Sequence, residues 1–156
     1  MEINQTIPLT TNEGYEYLIK FTLFELDVIP KEVTTKVVNL VIDLLVPTQN
    51  YNNSKTLFNI SEIINDYLDM NDVILYCYCD NVEINKSDKR KTMTNQEYRS
   101  LLFTRMFDRR NDNTHINKLI LINDPVNDNH YIHLITKIHN HNCVELLSQE
   151  INKLDK

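Results

Sequence analysis

VILYCYC, residues 73–79, is the stretch on which the fold turns. It is a continuous run of apolar and aromatic residues, bounded by Asn71-Asp72 on one side and Asp80-Asn81 on the other. Seven residues are short for a buried helix, and the absence of alternation excludes a strand with one wet face. The run predicts a central strand buried on both faces, which requires covering elements on each side of a sheet.

The flanking segments supply those elements. Upstream, Ile60, Ile63, Ile64, Tyr67 and Leu68 follow the stripe of an amphipathic helix over 60–68, with Asn59 placed to cap it. Residues 37–46, VVNLVIDLLV, put Val38, Leu40, Ile42, Leu44 and Val46 on one face of a strand, although a ten-residue helix would also fit. Residues 15–26 alternate through Tyr15, Tyr17, Ile19, Phe21 and Leu23. The phase then changes to Phe24, Leu26 and Val28, which predicts a strand with a bulge or bend. Downstream come a polar loop, a helix from about Gln96 to Arg109, a strand at 118–122, a turn at 124–129 and a strand at 131–138 close enough to form a hairpin. Asn142 is placed to cap a last helix, with Glu145 in capping-box spacing and Val144, Leu147, Ile151 and Leu154 as its stripe. The expected order is ββαβαββα: a single α+β domain over 1–156, with a mixed or largely antiparallel sheet covered by helices.

Composition narrows the chemistry. No apolar run approaches the length of a membrane span, and the first residues have neither a basic start nor an apolar core, so no signal peptide is expected. Three cysteines, an odd number, read as reduced thiols of a cytoplasmic protein. The sequons at Asn4, Asn52, Asn59 and Asn85 carry no weight without secretion. The single glycine, Gly14, excludes glycine-rich phosphate loops and dinucleotide fingerprints. Turns must then be made by Asn and Asp, as at Asn50–Asn53, Arg110–Asn113 and Asn127–Asn129.

Charge is unevenly placed. The chain carries −6, yet residues 85–110 hold eight Lys or Arg against three Asp or Glu, a local +5 that leaves −11 for the rest. Lys86, Lys89, Arg90 and Lys91, with Arg105 and Arg109 on the following helix, are the candidate binding residues. The patch suits phosphate or nucleic acid, an acidic protein, or the acidic remainder of the chain itself. Arg99 is different. On a helical wheel it falls within the apolar arc of Tyr98, Leu102, Phe103, Met106 and Phe107, where an unpaired guanidinium is costly. It is expected to be buried and bonded to Asp80 or to backbone carbonyls, as a structural pair holding helix to sheet.

Other constellations are weaker. His139, His141 and Cys143 alternate and are zinc-ligand types, but the expected helix start at Asn142 breaks the alternation and no fourth ligand is evident. Cys77 and Cys79 share a strand face and read as core, unless a histidine such as His115 or His133 comes close. Asp80, with Glu83, Asp88 or Glu97, has the composition of a divalent-metal site without a specific spacing. No catalytic residue, metal ligand or cofactor is assigned.

The segments CYCD and EYRSLLFTRMF resemble a small family of mostly Bacteroidetes proteins, the domain of unknown function DUF6169. Its members show a strand ending in Cys-Asp, a polar loop and a helix patterned Arg…Phe…aromatic-Phe. The matching positions are Cys79, Asp80, Arg99, Phe103 and Phe107, and the early Gly-Tyr-Glu-Tyr strand fits as well. Met106 departs from the pattern, standing where an aromatic is expected, and the loop from Asn85 to Asn95 is longer than usual. The resemblance implies the fold and brings no activity with it. The function expected is a cytoplasmic bacterial binding or regulatory module acting through a protein partner or as a homo-oligomer. The alternatives are a metal-dependent nuclease-like enzyme built on Asp80, or a nucleic-acid binder using the 85–110 region.

Overall fold

The computed structural model describes residues 3–12, 14–24, 29–46, 54–81, 86, 88–110 and 113–153. Six strands form one sheet: β1 (Gln5–Thr10), β2 (Glu16–Leu23), β3 (Lys36–Val46), β4 (Val73–Cys79), β5 (His115–Ile122) and β6 (His130–Lys137). The helices are α1 (Ser54–Met70), α2 (Asn95–Arg110) and α3 (His141–Asn152). Strand order is β1-β2-β3-β4-β6-β5. Among the described strands only β3 and β4 pair in parallel, through the α1 crossover, and the other four pairings are antiparallel. The fold is α+β with β4 inside the sheet.

Two apolar layers explain the continuous VILYCYC run except at Tyr78, which is 45% exposed and so departs from the expected burial on both faces. Leu75 and Cys77 join Ile19, Phe21, Leu40 and Ile135 beneath α1 and α2, while Ile74 faces Ile132, Leu134, Val144, Leu147 and Ile151 beneath α3. Burying side chains alternately into two cores removes the polar positions that a one-sided strand would show. The second layer covers only part of the sheet. On β2 and β3 the corresponding face carries the half-exposed pair Lys20–Asp43 at 2.7 Å.

The element order corrects the expected one at its start, since a further strand, β1, precedes it. Its inward residues are Gln5, Ile7 and Leu9, and Pro8 sits among the outward ones, so its apolar signal is thin. Proline lacks the amide that a central strand needs, and β1 is an edge strand, where this is tolerated. Helix α1 begins five residues before Asn59, which is therefore an interior residue and not a cap. Thr56, 2% exposed, extends the buried stripe backward from Ile60 with a polar side chain that a purely apolar template overlooks.

The register irregularity of β2 lies between Glu16 and Tyr17 rather than after Leu23. Phe24 continues the alternation onto the other face, where its ring stacks on Tyr76 at 4.7 Å. Phe24 thus packs against the second layer rather than marking a changed phase. Leu26 and Val28 lie outside the described residues.

The last helix starts at His141, and Asn140 occupies its cap position without a side-chain cap bond. Asn140 is instead buried in a polar knot. It accepts from Thr35 Oγ1 at 3.0 Å and donates to Asp72 Oδ1 at 3.0 Å and Thr136 Oγ1 at 2.8 Å. Glu145 lies near Lys118 of β5, at 3.8 Å, and so ties α3 to the sheet. Asn113 and Asp128 have φ of 69° and 67°, the left-handed turn geometry expected of Asn and Asp in a chain with one glycine. The Asn50–Asn53 turn lies outside the described residues.

Candidate functional site

Three segments converge where β4 ends. Thr94 Oγ1 accepts the backbone N–H of Glu97 at 3.3 Å and Thr94 O accepts that of Tyr98, so Thr94 caps α2. From this first turn, Asn95 donates to Asn81 O at 3.1 Å and Gln96 to Asn129 O at 3.3 Å. Tyr131 of β6 donates its hydroxyl to Glu97 at 3.4 Å. The start of α2 is thereby tied both to the end of β4 and to the β5–β6 turn.

Arg99, one turn further along, donates to Asp80 O at 3.2 Å and lies 3.4 Å from its carboxylate. Its side chain is 23% exposed and that of Asp80 is 52% exposed. Burial pulls the guanidinium below its usual range, against the opposing effect of Asp80. Because Asp80 keeps much of its water, this is a strand-end clamp rather than a fully buried ion pair.

On the other face Tyr78 points toward the β5–β6 turn. Its hydroxyl lies 2.6 Å from His130 Nδ1, and His130 Nε2 lies 2.8 Å from Asp124 Oδ2. Asp124 also accepts the backbone N–H groups of Val126 and Asn127, each at 3.0 Å. These bonds, led by that from Asn127 and then by His130, hold the carboxyl down to about 2. A carboxylate accepts only, so the neutral His130 imidazole in this arrangement carries its proton on Nε2 and turns its Nδ1 lone pair to the phenol. Partial burial raises the Tyr78 phenol, and Asp80, Cys79 and Asp124 add to the shift. The phenol therefore rests neutral, as the hydrogen-bond donor to His130.

A second histidine is fully enclosed. His133 of β6 is 0% exposed, with Nε2 at 2.8 Å from Ser100 Oγ and Nδ1 at 2.8 Å from Asn117 Oδ1. Burial lowers it to about 4. Ser100 is itself buried, so this serine–histidine–asparagine chain is a satisfied core network without access for a substrate.

The binding candidates read from sequence are spread over two elements. Lys89 and Arg90 end a 3-10 turn at Asp88–Arg90, Lys89 and Lys91 are exposed, and Lys86 and Arg90 are half-buried. Arg105 is exposed on α2, whereas the Arg109 side chain lies outside the described residues, as do Glu83 and the side chain of Asp88. Cys77 and Cys79 are buried, and burial drives Cys77 well above a usual thiol and Cys79 up to about 12, so neither is an activated thiol. His139 bonds Asp72 at 2.9 Å, His141 lies 4.0 Å from Glu145, and Cys143 accepts from Thr35 at 3.8 Å. The 3-10 turn at 138–140 and the start of α3 replace the extended backbone on which their alternation depended. Among the described residues no group of three His, Cys, Asp or Glu is placed to hold a metal ion.

Strand β5 supplies a feature that motif reading missed. It is the last strand in the order, and its outer edge is paired with none of the described strands. Ile138 N donates to Thr114 O, which fixes the phase of the β5–β6 ladder. Even-numbered residues of β5 bond to β6, and 117, 119 and 121 turn their backbone groups outward. Leu119 and Leu121 are 44% and 52% exposed. They lie on the α2 side, because their partners His133 and Tyr131 meet Ser100 and Glu97 there. Lys118 points instead to α3. The signal was present in KLILI, in which every second apolar residue had to face something other than the α3 core.

No family model, no curated protein and no solved structure matches the chain. Among the described residues no helix is long and apolar enough to cross a membrane.

Proposed function

We propose that the protein is a binding module that works by self-association through β5, in the bacterial cytoplasm and as a relative of the DUF6169 proteins. The observation that carries this reading is the open β5 edge, with outward backbone groups at 117, 119 and 121 and exposed leucines at two of those positions. Natural edge strands are ordinarily blunted by proline, bulges or outward charge. Within His115–Ile122 the one Lys is turned toward α3, and there is no proline.

A second copy fits the geometry of this edge. An antiparallel pairing about a two-fold axis at Ile120 sets residue 119 opposite 121 of the other copy. Both residues have outward backbone groups, so the ladder is hydrogen-bonded, and Leu119 packs on Leu121 twice. Lys118 then lies opposite Ile122, and no like charges face one another. Three free thiols, two of them buried, support a reducing compartment.

Sedimentation equilibrium tests the reading. A dimer in the micromolar range is expected, and Leu119→Lys with Leu121→Lys should give a monomer with an unchanged circular dichroism spectrum. A wild-type chain that remains monomeric throughout that range overturns it.

A further inference from the structure

We infer that Tyr78, His130 and Asp124 form a nucleophilic site for acyl transfer, with the Tyr78 phenol as the attacking group, His130 as its general base and Asp124 as the group that orients the imidazole. The bond order assigns the roles. Asp124 takes the Nε2–H of His130 at 2.8 Å, which leaves Nδ1 to accept the phenolic proton at 2.6 Å. This is the carboxylate–imidazole–hydroxyl sequence of a hydrolytic triad with a phenol at its outer end.

The base is supported from behind. Asp124 is fixed by two backbone N–H groups of its own turn, so the carboxylate is already ionised and aligned when the imidazole becomes positive. The phenol is also reachable, at 45% exposed, whereas Tyr15, Tyr17, Tyr67 and Tyr98 are buried. The buried Ser100–His133–Asn117 chain has similar distances and lacks this access.

The surrounding charge selects the substrate. Asp80 and Asp124 both act on the Tyr78 phenol through space, and Arg99, 3.4 Å from the Asp80 carboxylate, offsets one of the two, so an anionic phosphoester would still meet a net negative charge. An uncharged carboxylic ester meets no such repulsion. In the step, Tyr78 Oη bonds to the ester carbonyl carbon while the phenolic proton passes to His130 Nδ1. The ester C–O bond breaks, and the departing alkoxide takes that proton and leaves as a neutral alcohol. Tyr78 then carries the acyl group. No oxidant, metal or further reactant is required.

The experiment exposes the full chain to p-nitrophenyl acetate, with intact mass and peptide mapping to locate the acetyl group. Acetylation of Tyr78 should run at least about a hundredfold faster than that of N-acetyltyrosinamide, the low end of what a positioned base contributes. His130→Gln and Asp124→Asn, each confirmed as folded by circular dichroism, should bring Tyr78 to the rate of the model phenol while leaving the phenol accessible. A wild-type rate at Tyr78 equal to that of the model phenol overturns the inference without recourse to any variant. So does an undiminished rate in folded His130→Gln, which would show that access alone sets the reactivity.

Discussion

Acidification should destabilise this protein through one residue, His133. In the native state its ring is fully enclosed by Ser100, Asn117 and the Phe103 ring, whose centroid lies 4.9 Å away. Burial lowers it from 6.5 to about 4. Above pH 6.5 neither the native nor the unfolded chain binds a proton at this site, and stability is unaffected by it. Between 6.5 and 4 the unfolded chain takes up a proton that the native chain refuses, so stability falls as pH falls. Each pH unit costs about 1.4 kcal/mol, and the full gap of roughly 2.5 units amounts to about 3 kcal/mol. Set against a typical total of about 5–15 kcal/mol, that is a large share.

Urea denaturation at a series of pH values between 7.5 and 4.5 measures the slope. His133→Gln should be less stable at pH 7.5, because the packing around the ring is lost, yet it should lose most of the acid slope. The difference between the two chains isolates this histidine from His115, His130, His139 and His141. Equal slopes in the two chains would refute the reasoning.

Arg99→Ala should cost about 1–2 kcal/mol, less than a fully buried pair would, because half of the Asp80 side chain remains in water. Chemical denaturation of Arg99→Ala, Asp80→Ala and the double variant should show a coupling of about 0.5–1 kcal/mol, and strict additivity would sever the clamp. Thr94→Ala removes the cap of α2 and should cost about 1 kcal/mol, with faster amide exchange concentrated in residues 95–98. A loss spread evenly over the helix would place the cap elsewhere.

Residues that obeyed one periodicity were legible in the sequence. The VILYCYC run, the stripes of α1 and α3 and the alternation of β3 all announced their elements because apolar burial dictated them. Arg99 was legible for the converse reason, since a charge inside an apolar arc demands a partner, and it lies against Asp80 at 3.4 Å. What escaped was polar or distant. The first turns of α1 are anchored by Thr56, and β1 has few apolar residues around a proline. The Tyr78–His130–Asp124 chain joins residues as many as 46 and 52 positions apart. Nothing in the spacing of an Asp and a His around a turn indicates which strand face will lie beside them. That depends on the order β4-β6-β5, which only the assembled sheet reveals. The described basic side chains of 85–110 likewise divide between a strand-end clamp at Arg99, half-buried positions at Lys86 and Arg90, and exposed ones at Lys89, Lys91 and Arg105, a distinction invisible in a charge count.

The two ends of the sheet have unequal capacity for growth. Pro8 takes an amide out of the β1 margin, so a strand arriving there would find an interrupted ladder. β5 offers an uninterrupted one. Fibrillar stacking needs a receptive margin on both sides of each unit, whereas a unit receptive on one side is saturated by its first neighbour. On the proposed assembly, union through β5 would terminate at two copies: the twelve described strands so joined would end in a Pro8 at either extremity, and raising the concentration should fill pairs without lengthening them.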